Sequence, residues 1–149
     1  MQNSSPSSAS TRNFERFLAV IAVTLSLIIS VRIWLAFSQQ QPMWPLPDLY
    51  LLEMLAASTL AMLEILGNGR KQFRSHGILT WIAVGILLAF VVIGAWSIGF
   101  FFAPVAGLLA IAAIWSDRRH GRNLVVHLGI GLAAALVQAA LMLAVIHLV

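Results

Sequence analysis

The sequence predicts an all-α membrane protein, a bundle of five transmembrane helices in which helices 3 and 4 form a tight hairpin. Three observations carry that expectation. Hydrophobic residues make up 60% of the chain, charged residues 9%, and the mean hydropathy is +0.93. Four long apolar runs alternate with short polar stretches. The basic residues cluster in alternate connections and leave the others bare. A soluble domain carries about a quarter charged residues. A chain of 149 residues this poor in charge cannot coat a water-facing surface, so lipid becomes the solvent for most of it.

Residues 1–13 (MQNSSPSSASTRN) are serine-rich and hold no apolar run. They cannot bury enough surface to offset the entropy of ordering, which predicts a disordered cytoplasmic tail; Asn13 is a candidate N-cap. The remainder, 14–149, is expected to be the helix bundle. Its first run, residues 17–37, is interrupted only by Arg32. A hydrocarbon core about 30 Å thick needs about 20 helical residues, so this run is long enough to span. Residues 38–48 (SQQQPMWPLPD) contain three prolines, which block a continuous helix. The second run, 49–66, holds Glu53 and Glu64 and ends at a Gly-Asn-Gly stop.

Residues 78–115 form a run of 38 residues without a charge. As one helix it would be about 57 Å long, nearly twice the hydrocarbon thickness. It must fold back, and the breakers Gly94, Ser97, Gly99 and Pro104 lie at its middle. Spans near 78–95 and 100–115 follow, with Pro104 in the first turn of the fourth helix, where a missing N–H costs least. Residues 116–123 (SDRRHGRN) form a charged connection, and 124–149 the last span.

Charge supports the hairpin independently. Arg12 and Arg16 precede helix 1; Arg70, Lys71 and Arg74 lie between helices 2 and 3; Arg118, Arg119 and Arg122 lie between helices 4 and 5. These are eight of the nine basic residues, and five spans place all eight on one side. Because basic residues favour cytoplasmic connections, the expected location is the cell (inner or plasma) membrane, with the N-terminus cytoplasmic and the C-terminus extracytoplasmic. The tryptophans fit: Trp34, Trp44 and Trp96 fall at the outer interface, Trp81 and Trp115 at the inner. A rival for helix 1 is a cleaved signal peptide ending at Ala36-Phe37-Ser38, which would leave four helices in the same orientation. The length of the apolar run and the nearness of Arg32 to that site favour a retained span.

Ionisable groups inside a span are functional candidates, because their burial must be offset. Arg32 and Glu53 each lie six residues from the connection between helices 1 and 2, hence at matched depth, roughly 9 Å inside. They are expected to form an intramembrane ion pair, structural or serving transport; the alternative is Arg32 extending outward to the headgroups. Glu64 shares a face with Glu53 across Ala57 and Ala61. In helix 5, His127 and Gln138 share a face with Gly131, Ala134 and Ala135, which suggests packing bonds or a pathway. In helix 4, Gly99, Ala103, Gly107 and Ala110 form a small-residue ladder, expected to lie at a helix contact with Gly107 at its centre.

The chain has no cysteine, which excludes disulfides, thiolate metal sites and cysteine nucleophiles. His127 and His147 are about 30 Å apart and cannot jointly bind a haem. The sequence holds no nucleotide loop, HExxH or GxSxG motif. The expectation is a protein with no cofactor, no metal, no enzymatic activity and no nucleic-acid partner. Its partners would be the lipid bilayer and possible other membrane subunits or copies of itself. Two roles follow: an accessory or assembly subunit, or a small oligomeric transporter or channel whose path is lined by Arg32, Glu53 and Gln138.

Overall fold

The computed structural model describes residues 7–38, 46–67, 77–94 and 98–148. Every element among them is helical: α1 (Ser7–Phe37), α2 (Leu46–Gly67), α3 (Ile78–Ile93), a 3₁₀ segment (Ile98–Phe102), α4 (Ala103–His120) and α5 (Leu124–Leu148). Four helices are long and apolar enough to cross a membrane. The fifth, α3, has 16 residues, a length of about 24 Å.

Helices α1 to α4 form a ring in which each packs on its sequence neighbour and α4 closes back on α1. Their inward faces make the core, where Ala22, Met54, Ala61, Leu87, Phe90, Phe102, Val105 and Leu109 are buried. Tyr50 meets Phe90 edge to face, with ring centroids 5.3 Å apart. Helix α5 stands outside the ring and leans almost wholly on α3. Helix α3 is thus flanked by α2, α4 and α5, which explains how the shortest helix is also the most buried. The outward faces carry exposed Leu52, Val92, Val125, Leu132 and Leu136, an apolar surface suited to contact with lipid.

Helices α3 and α5 approach closely at their glycines. A Cβ added to Gly85 would collide with the Gly131 carbonyl, and one on Gly131 would lie 3.2 Å from Trp81. Gly85 leaves no room for a side chain, while at Gly131 a side chain would press on Trp81. The helix 4 ladder does not have that role at its centre. Gly107 is exposed and has open space around its Cβ position, so it is not a helix contact. Ala103 and Ala110 are half-buried, and the packing face of α4 is instead Val105, Ala106, Leu109, Ala112 and Ala113. Only Gly99 is in tight contact, and its neighbours are Gly94 and the Phe90 carbonyl at the end of α3. It lets the chain double back rather than bringing two helix faces together.

Two boundaries differ from expectation. Helix α1 begins at Ser7, so residues 7–13 are helical rather than a disordered tail; residues 1–6 lie outside the described residues. A span already nucleated extends at little cost through residues without glycine or proline, and Glu15 anchors this extension to α4. Helix α4 runs to His120, into the segment assigned to a loop. Arg118, Arg119 and His120 occupy its last turn, where cations complement the helix dipole. Gly121, at φ 62, then ends it, and the Arg122 N–H donates to the Asp117 carbonyl at 3.0 Å.

Candidate functional site

The extension of α4 puts Asp117 inside the bundle. Its side chain is 1% exposed and touches three elements. Oδ2 accepts hydrogen bonds from Trp81 Nε1 of α3 at 2.7 Å and from His127 Nδ1 of α5 at 2.7 Å. Because a carboxylate only accepts, His127 must carry its proton on Nδ1. Oδ1 faces Arg122 NH1 at 3.8 Å. The Arg122 guanidinium in turn fills the space beside Gly77, the residue preceding α3, which adopts a left-handed φ of 81°. Asp117 therefore binds α3, α4, α5 and the α4–α5 connection at one point.

Two further carboxylates act in the same layer, at the end where the basic residues cluster. Glu64 of α2 is fully buried. Its Oε2 accepts from the Thr80 backbone N–H at 2.6 Å and from Thr80 Oγ1 at 2.5 Å. Thr80 lies in the first turn of α3, whose N–H groups have no partner within the helix. Gly77, which precedes the helix, has no side chain to cap them, so α2 supplies the cap from outside. Glu15 of α1, 1% exposed, receives a two-point bond from Arg119 of α4: Nε at 2.9 Å and NH2 at 2.6 Å. Planar pairing of this kind adds directionality to charge. Beside it, Phe14 packs edge to face on Trp115 at 5.4 Å. The three carboxylates together connect all five helices.

The other sequence-derived candidates lie elsewhere. Arg32 is exposed, and among the described residues no ion pair joins it to Glu53. Matched depth is insufficient: Arg32 is exposed on α1, whereas Glu53 engages Gln138 of α5. Glu53 is half-buried and interacts with the side-chain amide of Gln138, which is 7% exposed. This contact spans from α2 to α5, two helices whose backbones do not adjoin. Arg32, Glu53 and Gln138 are absent from the lining of both described cavities. The larger cavity, about 470 Å³, is an apolar groove along α3 and α5 lined by Val84, Leu88, Val92, Leu132, Ala135 and Leu136, among others. Ser58 donates to the Met54 carbonyl at 2.7 Å, and its hydroxyl oxygen can then accept from Ser26 Oγ at 3.2 Å, joining α1 and α2 inside the ring.

Asp117, Glu15 and Trp81 were not among the sequence candidates. Trp81, assigned to the lipid interface, is 3% exposed and faces Asp117. Signals for two of them were present. Asp117 is followed by Arg-Arg-His-Gly, a helix C-terminal signature that extends α4 past it. Glu15 heads a helical stripe of Ala19, Ala22, Ser26 and Ser30, all buried. Trp44, Trp96 and His76 lie outside the described residues. No family model, curated protein or solved structure matches the chain.

Proposed function

We propose that the protein is an accessory or assembly subunit of a membrane complex, non-enzymatic, with five transmembrane segments, a cytoplasmic N-terminus and an extracytoplasmic C-terminus. The observation that carries this reading is where the buried carboxylates point: Glu15, Glu64 and Asp117 each bind a group on another helix. Polar groups so engaged hold helices in register. The surface left for partners is apolar, above all α5, which packs on one side only, and the groove it shares with α3. The orientation draws on the clustering of eight basic residues in alternate connections of the sequence.

A second reading, a small oligomeric transporter, draws on the contact between Glu53 and Gln138, a carboxylate and an amide facing each other within the span region. One pair of measurements separates the two. A photo-crosslinking residue at Leu136, on the exposed face of α5, should give one discrete adduct heavier than the chain when activated in native membranes. Proteoliposomes of the purified protein should show no proton or cation flux that Glu53→Gln abolishes. A flux dependent on Glu53, with no adduct at Leu136, favours the transporter. Reporter fusions after Val149 and within 118–122 test the topology; a cytoplasmic signal at the C-terminus would contradict five spans.

A further inference from the structure

The second cavity lies between α1 and α2, at the end of the bundle away from the basic clusters. It is a cleft of about 290 Å³ whose lining includes Leu27, Ser30, Trp34, Asp48, Leu52 and Leu55. Its composition changes along its length. Helix α1 runs toward this end and α2 away from it, so Trp34 and Asp48 lie at the mouth. Leu27 and Leu55 lie seven residues further in along each helix, about 10 Å deeper. An aromatic ring and a carboxylate at the interface, above an aliphatic channel, match the polarity of a lipid with its headgroup at the mouth.

Two polar atoms identify the headgroup chemistry. Asp48 Oδ1 and Ser30 Oγ are both buried and have no hydrogen-bond partner. Ser30 is 8% exposed. Both line this one cleft. An unpartnered buried carboxylate oxygen is costly and calls for a donor, and the Ser30 hydroxyl can donate or accept. Among the described residues no cation is paired with Asp48. In the sequence eight of the nine basic residues belong to the start of α1, the α2–α3 connection and the stretch from the end of α4 to α5, and among the described residues the ninth, Arg32, forms no ion pair with Asp48. The 38–48 segment contains no lysine, arginine or histidine at all. The first turn of α2, where Asp48 sits, stabilises a negative charge through the helix dipole.

We infer that the α1–α2 cleft is a binding site for a phospholipid with a primary ammonium headgroup, seated with its ammonium on Asp48 beside the Trp34 ring and an acyl chain between Leu27 and Leu55. A primary ammonium donates hydrogen bonds to a carboxylate and a hydroxyl, which a quaternary choline cannot, and both cations are attracted to an indole face. An anionic glycerol headgroup would be repelled by Asp48. The inference rests on the chain lying in a bilayer and is independent of its role as an accessory subunit.

Native mass spectrometry of the full-length protein, extracted in mild detergent, tests this with three lipids of identical dioleoyl chains: phosphatidylethanolamine, phosphatidylcholine and phosphatidylglycerol. The expected result is one ethanolamine lipid retained per chain, about tenfold over choline, as one charge-assisted hydrogen bond provides. Asp48→Asn should remove the preference. Leu52→Trp, a change at an exposed position that fills the cleft, should remove retention while leaving the fold intact. Equal retention of ethanolamine and choline lipids by the unaltered protein overturns the inference, without recourse to any variant. So does an ethanolamine preference that persists in Asp48→Asn or Leu52→Trp.

Discussion

At the basic end of the bundle, Glu15, Glu64 and Asp117 are each almost fully buried and each binds a group on a different helix. At the opposite end, Arg32 is exposed, Asp48 and Ser30 retain unpartnered oxygens, and the helices meet through Tyr50, Met54 and Phe90. The difference follows from where charges of both signs occur together. The basic end holds arginines, histidines and three of the five carboxylates, so a buried acid finds a donor on a neighbouring helix. The other end has a single arginine, Arg32, which is exposed and forms no ion pair among the described residues, so its helices associate mainly by apolar packing. Charges in low dielectric persist where they are paired and satisfied. The same fold therefore has one end held by directional bonds and one end held by shape.

The two largest effects expected from single changes are at the α3–α5 crossing and at the Asp117 hub. Gly85→Leu drives a side chain into the Gly131 carbonyl, which backbone cannot yield, and should cost about 3 kcal/mol or more. Limited proteolysis in detergent should show α5 released from the ring. At the hub, Asp117→Ala strips Trp81, His127 and Arg122 of their acceptor and should cost about 3–5 kcal/mol, read as a drop in thermal unfolding midpoint. Glu64→Ala leaves the first turn of α3 uncapped at Thr80, a loss of about 1–3 kcal/mol. Hydrogen exchange should locate that loss at residues 78–81. Smallest are Arg32→Ala and Gly107→Ala, one exposed and without an ion pair among the described residues, the other in open space. Each should stay within about 0.5 kcal/mol of the parent protein. A large loss at Arg32 would restore the ion pair with Glu53 that the structure does not form.

The helices were legible because lipid imposes a simple code: apolar length fixes spans, and breakers such as Gly94, Gly99 and Pro104 fix the turn between α3 and α4. Contacts were less so. Depth along a helix follows from counting residues, but direction around it depends on how the ring closes, and the sequence does not state which neighbour each face meets. That is why Arg32 and Glu53, equal in depth, do not pair, and why Glu53 reaches Gln138 on a helix outside the ring. It is also why Gly107 could not be distinguished from Gly85, since small residues at helical spacing occur on outward faces too. Asp117 was hidden by a boundary error of five residues. A charged stretch after an apolar run reads as a loop, yet Arg118 and Arg119 belong to the last turn of α4.

The central claim, that the basic end is fastened by bonds between helices and the opposite half is not fastened by the Arg32–Glu53 pair, is tested most directly by two double-mutant cycles measured side by side. One cycle combines Asp117→Ala with His127→Ala, the other Arg32→Ala with Glu53→Ala, each followed by reversible unfolding in the same detergent. The bond of 2.7 Å between Asp117 and His127 predicts a coupling of about 1.5–3 kcal/mol, against a coupling near zero for the second pair. Additive losses at Asp117 and His127, or a coupling at Arg32 and Glu53 as large as theirs, would contradict it.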